Sequence, residues 1–185
     1  EATAILAGDA LLTAAFEQLT RAHLPAERIV QAVGCLYRAA GSAGMVGGQA
    51  LDMAGEGKTL GREELELLQR LKTGALISSA AELGCIAAGG TPEQRARVRD
   101  YAQALGQAFQ VRDDMLDVIS SQSELGKPVG SDRVNEKSTY VTALGLEGCA
   151  ALVEELTRRA ARAVDGFAQP EFHIWLAKSL AQRTK

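Results

Sequence analysis

Aromatic residues make up only 4% of this 185-residue chain, and its apolar content is mainly Ala, Leu, Val and Ile at helical rather than alternating spacing. That combination excludes an all-β domain, whose strands draw on aromatic and β-branched residues in alternation. Cysteine is sparse as well: Cys35, Cys85 and Cys149 are odd in number, far apart and outside any Cys-x-x-Cys or Cys/His cluster. Neither a disulfide framework nor a zinc site is indicated, and a reducing compartment fits. The net charge of −3 comes without a long basic block, so a nucleic-acid partner held by counterion release is not expected. Long apolar runs are missing too. Asp9 interrupts the first and Glu82 the one after Lys72, short of the roughly 18 residues that a membrane span needs. No opening stretch reads as a secretory leader, and a cytoplasmic location is the expectation. The chain starts at Glu1 inside an apolar periodic stretch, as a piece of a longer protein would.

What is present is ordinary globular composition, 46% apolar and 23% charged, in a length that suits one domain. Residues 1–185 are expected to form a single all-α domain, incomplete on its amino-terminal side. Apolar residues at spacings of three and four predict a first helix from Ala2 to Leu19, ended near Pro25. A second is expected from about Ala26 and on through Gly41 to Met53, and a third from about Arg62 to Ala88, stopped by Gly89-Gly90. Thr91-Pro92-Glu93-Gln94 combines an N-cap, a proline at the first helical position and a capping-box glutamine. It opens a long helix to about Ser120. Ser121 to about Lys137 reads as a loop of functional length. Two further helices, about Ser138 to Phe167 with a break near Gly145, and Pro170 to Gln182, complete the chain.

The chemistry-bearing stretch is Gln107 to Asp117. At about 100° per residue, Gln107, Gln110, Asp113, Asp114 and Asp117 share one arc of the helix, opposite Leu105, Ala108, Val111, Met115 and Ile119. Asp113 and Asp117 form a like-charge i, i+4 pair with no Lys or Arg at i±3 or i±4 to relieve it. A positive partner must come from elsewhere. One reading is a solvated acidic face. The other is Mg²⁺, a hard cation that takes one or two carboxylates, waters and substrate phosphates. Lys127 and Lys137 in the following loop suit the second reading, since they supply point charges for a phosphate. Lys72, in the apolar stretch Leu71 to Ala81, is costly there unless it snorkels or meets an anion. Gly57-Lys58-Thr59 is not a Walker loop, because Asp52 stands where its first glycine belongs.

Taken in order, Gly47-Gly48-Gln49-Ala50-Leu51-Asp52, Lys72-Thr73-Gly74, Gly106-Gln107-Ala108-Phe109-Gln110-Val111-Arg112-Asp113-Asp114-Met115-Leu116-Asp117, Gly126-Lys127 and Lys137-Ser138-Thr139-Tyr140 resemble the trans-isoprenyl diphosphate synthases of the farnesyl or geranylgeranyl diphosphate synthase type. Each motif is weak alone and the ordered set is specific. The resemblance implies an all-α prenyltransferase fold, usually a homodimer, using Mg²⁺ to condense isopentenyl diphosphate with an allylic diphosphate. By position, Asp113, Asp114 and Asp117 are implied metal residues, with Asp113 and Asp117 the direct ligands. Lys72, Lys127 and Lys137 are implied to hold the allylic diphosphate, and Thr73 and Gln110 to face the developing cation. The family's first aspartate-rich motif and its arginine pair have no counterpart in this sequence. Little or no synthase activity, and only weak affinity for Mg²⁺ and diphosphate, are therefore expected of the chain alone. A class I terpene cyclase is disfavoured, because Leu116 stands where its second metal motif needs Asn or Asp before Ser120 and Glu124. A non-catalytic partner subunit of a synthase heterodimer is the other alternative, although such a subunit is expected to lose the aspartates and lysines kept here.

Overall fold

A computed structural model describes residues 2–125 and 138–184, and only the backbone of residues 120–125. The described residues contain helices and no strand: α1 (Ala2–Thr20), α2 (Ala26–Ala40), α3 (Met45–Gly55), α4 (Arg62–Gln69), a π-helical turn (Arg70–Gly74), α5 (Ala75–Ala87), α6 (Pro92–Leu125), α7 (Tyr140–Ala163) and α8 (Glu171–Gln182). No helix among them is long and apolar enough to cross a membrane.

The long helix α6 is the spine. Its inward stripe carries small and medium residues at helical spacing, and Ala104 and Val111 are fully enclosed, as are Cys149 and Ala160 of the facing α7. Small side chains let the two axes approach closely. One core cluster joins Tyr101, Ala104 and Ala108 of α6 to Leu156 and Ala160 of α7 and Ala177 of α8. A second brings Leu65 of α4 onto Val111 and Met115 of α6 and Tyr140, Cys149 and Val153 of α7. A third, Ala32, Cys35 and Ile86, fixes α2 to α5. Each large aliphatic side chain buried in this way contributes about 1.5–3 kcal/mol.

Most helix ends obey local rules. The Thr91 N–H donates to Gln94 Oε1 at 2.8 Å and the Gln94 N–H to Thr91 Oγ1 at 3.2 Å, closing the expected capping box. At the end of α5, Gly89 takes φ +77°, and the Gly89 and Gly90 amides donate to Ile86 O and Cys85 O, a Schellman closure. Gly145, at φ +69°, kinks α7 where a break was expected.

Three expectations need correction. The helix expected from Ala26 through Met53 is two, because the chain folds back so tightly at Gly44 that a Cβ there would lie 2.1 Å from Ala39 O. The helix expected over Arg62 to Ala88 is continuous in path but interrupted by the π-turn. The long helix reaches Leu125 rather than Ser120, so the expected loop from Ser121 begins later, and its residues 126–137 lie outside the described residues.

Candidate active site

The π-turn, the middle of α6 and the end of α3 converge on one cavity of about 590 Å³. Lys72 enters it from the π-turn, Asp52 from α3, and Gln110, Asp114 and Asp117 from α6, above a floor of Leu65 and Leu68. The cost of a lysine in an apolar stretch is met by Asp52, whose Oδ2 accepts from Lys72 Nζ at 2.5 Å. Both side chains stay partly exposed, so the pair is solvent-screened and either partner can exchange it for another ion.

The three aspartates of α6 have three different environments. Asp114 is buried, and both of its oxygens accept: Oδ1 from Gln110 Nε2 at 3.1 Å and Oδ2 from the Tyr140 amide at 2.8 Å. Burial pushes its carboxyl above the usual carboxylate range; the two hydrogen bonds oppose this, and the charges of Asp113 and Asp117 add to it. Tyr140 opens α7, so Asp114 satisfies an amide at a helix N-terminus. Asp114, expected as a metal residue, lines the cavity beside Asp117 while its two oxygens also tie α7 to α6. Asp113 lies outside the cavity lining and forms an ion pair with Arg183, just past α8. The guanidinium of Arg183 also stacks 4.1 Å over the Phe109 ring, and its carbonyl accepts from Arg112 Nε and Nη2 at 3.0 and 2.8 Å. The cation that meets Asp113 therefore comes from just past the last helix, far away in sequence. Asp117 is exposed and has no ion pair among the described residues.

Thr73 is half-buried in the π-turn and does not line the cavity. Lys127 and Lys137 lie outside the described residues. Among the described residues, no three His, Cys, Asp or Glu side chains are arranged to hold a metal by themselves.

The family model for polyprenyl synthetase matches residues 1–168. The chain belongs to the polyprenyl synthetase family. It is 42% identical over 190 residues to the large subunit 2 of the heterodimeric geranylgeranyl pyrophosphate synthase of Arabidopsis thaliana, an alignment covering 100% of this chain and 50% of that protein. To the farnesyl diphosphate synthase of Geobacillus stearothermophilus it is 45% identical over 151 residues, 80% of this chain and 51% of that one. Among solved structures, a geranylgeranyl pyrophosphate synthetase from Pyrococcus horikoshii superposes with a TM-score of 0.85 at 28% identity, over 99% of this chain and 68% of that one. A geranyltransferase from Helicobacter pylori complexed with magnesium and isoprenyl diphosphate gives 0.75 at 34% identity, over 97% and 58%. The chain spans about half the length of the curated relatives it matches.

In this polyprenyl synthetase chain, the cavity brings together Lys72, Gln110, Asp114 and Asp117 of the residues singled out in sequence, and leaves Asp113 and Thr73 beside it. Sequence reasoning assigned no role to Asp52, Arg183 or Tyr140. For Asp52 the signal was present, a carboxylate in the Gly-Gly-Gln motif and a lysine in need of an anion, but nothing local joined the two.

Proposed function

We propose that the chain is a prenyltransferase of the farnesyl or geranylgeranyl diphosphate synthase type, condensing isopentenyl diphosphate with an allylic diphosphate. The observation that carries this reading is the cavity shared by Lys72, Gln110 and Asp117, a cation opposite carboxylates over an apolar floor. In the reaction the allylic C–O bond breaks heterolytically and its electron pair leaves with the diphosphate. The π electrons of isopentenyl diphosphate then form the new C–C bond, and the resulting carbocation restores a double bond by giving a proton to an oxygen of the departed diphosphate. Lys72, joined by Lys127 and Lys137, holds the departing diphosphate, while the side-chain oxygen of Gln110 faces the allylic cation and Thr73 stands beside the cavity in the π-turn. Leu65 and Leu68 keep water from that cation. Asp117, at the cavity, and Asp113, once released from Arg183, would supply oxygen donors of the kind Mg²⁺ takes one or two at a time. Bound there, Mg²⁺ supplies neutralising charge to the leaving diphosphate. Asp114 lines the cavity beside Asp117 and fixes the start of α7 beneath the site.

A homodimer is part of this proposal, supported by the apolar Ile5, Leu6 and Leu11 that α1 leaves exposed. A cytoplasmic setting suits the three free thiols. The partner-subunit alternative draws on two relatives named as large subunits of heterodimeric synthases. Retention of Lys72, Asp113 and Asp117 favours catalysis.

The test is calorimetric binding of geranyl thiolodiphosphate, an analogue that resists ionisation, with and without Mg²⁺. Binding is expected to require the metal and to fall about tenfold or more in Asp117→Ala and in Lys72→Ala, a loss of roughly 1.4 kcal/mol. Equal binding in chelator, or by either variant, would refute the assignment.

A further inference from the structure

Gly48 is the one glycine of its motif whose missing side chain is filled by another element's backbone at the candidate site. A Cβ at Gly48 would stand 2.2 Å from Lys72 N, 2.6 Å from Lys72 Cα and 2.8 Å from Leu71 C. These are main-chain atoms, unable to swing aside. Gly47, its neighbour, faces Ser42 O of the turn that leads into α3, away from Lys72, and Gly84 meets nothing within 4 Å.

The segment pressed against Gly48 is the π-turn Arg70–Gly74. A π-turn is rare and occurs mostly as a single turn inside a longer α-helix, frequently at functional sites. Such a turn keeps its shape where the surroundings fix it, and here α3 lies directly on it. One helical turn past Gly48, Asp52 reaches Lys72 Nζ at 2.5 Å. The same helix therefore holds Lys72 at two points, its main chain at Gly48 and its ammonium at Asp52.

We infer that Gly48 is a positioning residue for Lys72: the absence of a side chain lets α3 seat against the π-turn, and that seating aims the lysine into the cavity. The inference rests on the reading of Lys72 as a diphosphate-binding residue. A methyl at position 48 forces the π-turn back by about 1 Å before ordinary contact distances are restored, and displacements of about that size cost binding and catalytic geometry heavily.

The experiment is an NMR titration of the 185-residue chain with magnesium pyrophosphate, comparing wild type, Gly48→Ala, Lys72→Ala and the double variant. All four are made in a Gly84→Ala background, which adds a helix-favouring methyl in open space and protects against simple unfolding. Gly48→Ala and Lys72→Ala are each expected to weaken binding about tenfold, and the double variant to bind no worse than Lys72→Ala alone. Losses that multiply in the double variant would mean that Gly48 acts on the fold at large, and would overturn the inference. So would wild-type affinity in Gly48→Ala, or a chain that no longer folds in the stabilised background. Wild-type affinity in Lys72→Ala would instead refute the functional reading, and the inference with it.

Discussion

Helices α1 and α6 invert what their compositions suggest. α1 is mostly Ala and Leu with only Asp9 and Glu17 as charges, yet none of its residues is buried, and Ile5, Leu6 and Leu11 are 66%, 66% and 72% exposed. α6 is charged on either side of an uncharged middle, Tyr101 to Val111, and there it encloses Ala104 and Val111 completely, although its mean composition is far more polar than that of α1. Apolar periodicity marks a face that is able to be buried. Burial itself requires a second surface, and among the described residues α6 has α7, α5 and α8 against it while α1 meets chiefly α2.

The sharpest break of this contrast is a pair of matched substitutions. Val111→Asp places a charge in a closed seam and is expected to cost about 4 kcal/mol or more, whereas in protein dilute enough to be monomeric Leu11→Asp should stay within about 0.5 kcal/mol and act instead on the proposed dimer. Urea titrations of both variants measure this; a large loss for Leu11→Asp would mean that α1 is covered in solution. Next comes Asp114→Ala, which leaves the Tyr140 amide without its acceptor and should cost about 1–3 kcal/mol, read from thermal melts. Gly89→Ala forces a Cβ into a left-handed backbone at the α5 end, and about 1–2 kcal/mol is expected by the same melts. Among the losses expected, the last is Tyr101→Phe, which deletes the hydroxyl that donates to His173 O at 2.9 Å, for about 1 kcal/mol.

Tyr101 also carries a pH signature. Burial pushes its phenol from 10.0 up to about 12. The unfolded chain releases this proton first, so its contribution makes stability fall as pH rises from about 10 to about 12. Tyr101→Phe should therefore show a shallower alkaline decline in urea midpoint than the wild type. An unchanged slope would remove Tyr101 as its source.

Legibility in the sequence followed the range of the interaction. The Thr91 capping box, the Gly89-Gly90 stop and the Gly145 kink were readable because each is settled within a few residues. The acidic stripe of α6 was readable as a stripe, and a projection sets Asp113 and Asp114 about 100° apart on it, but nothing in the projection says what each edge meets. Their different fates depend on Arg183 and the Tyr140 amide, each more than twenty residues away. The π-turn was invisible for a related reason: one extra residue in a turn leaves no mark in a 3.6-residue pattern short enough to be read locally.

The sequence by itself determined an all-α chain, most of its helix boundaries and the set of residue types capable of handling a diphosphate and a hard cation. Those follow from backbone capping, periodic side-chain spacing and the intrinsic chemistry of carboxylate and ammonium groups. Only the tertiary structure decided that Asp114 turns inward, that Asp113 finds Arg183 and that Asp52 finds Lys72. Each of these depends on which helices press together, and at Gly48 that packing is set by a few tenths of a nanometre between two backbones.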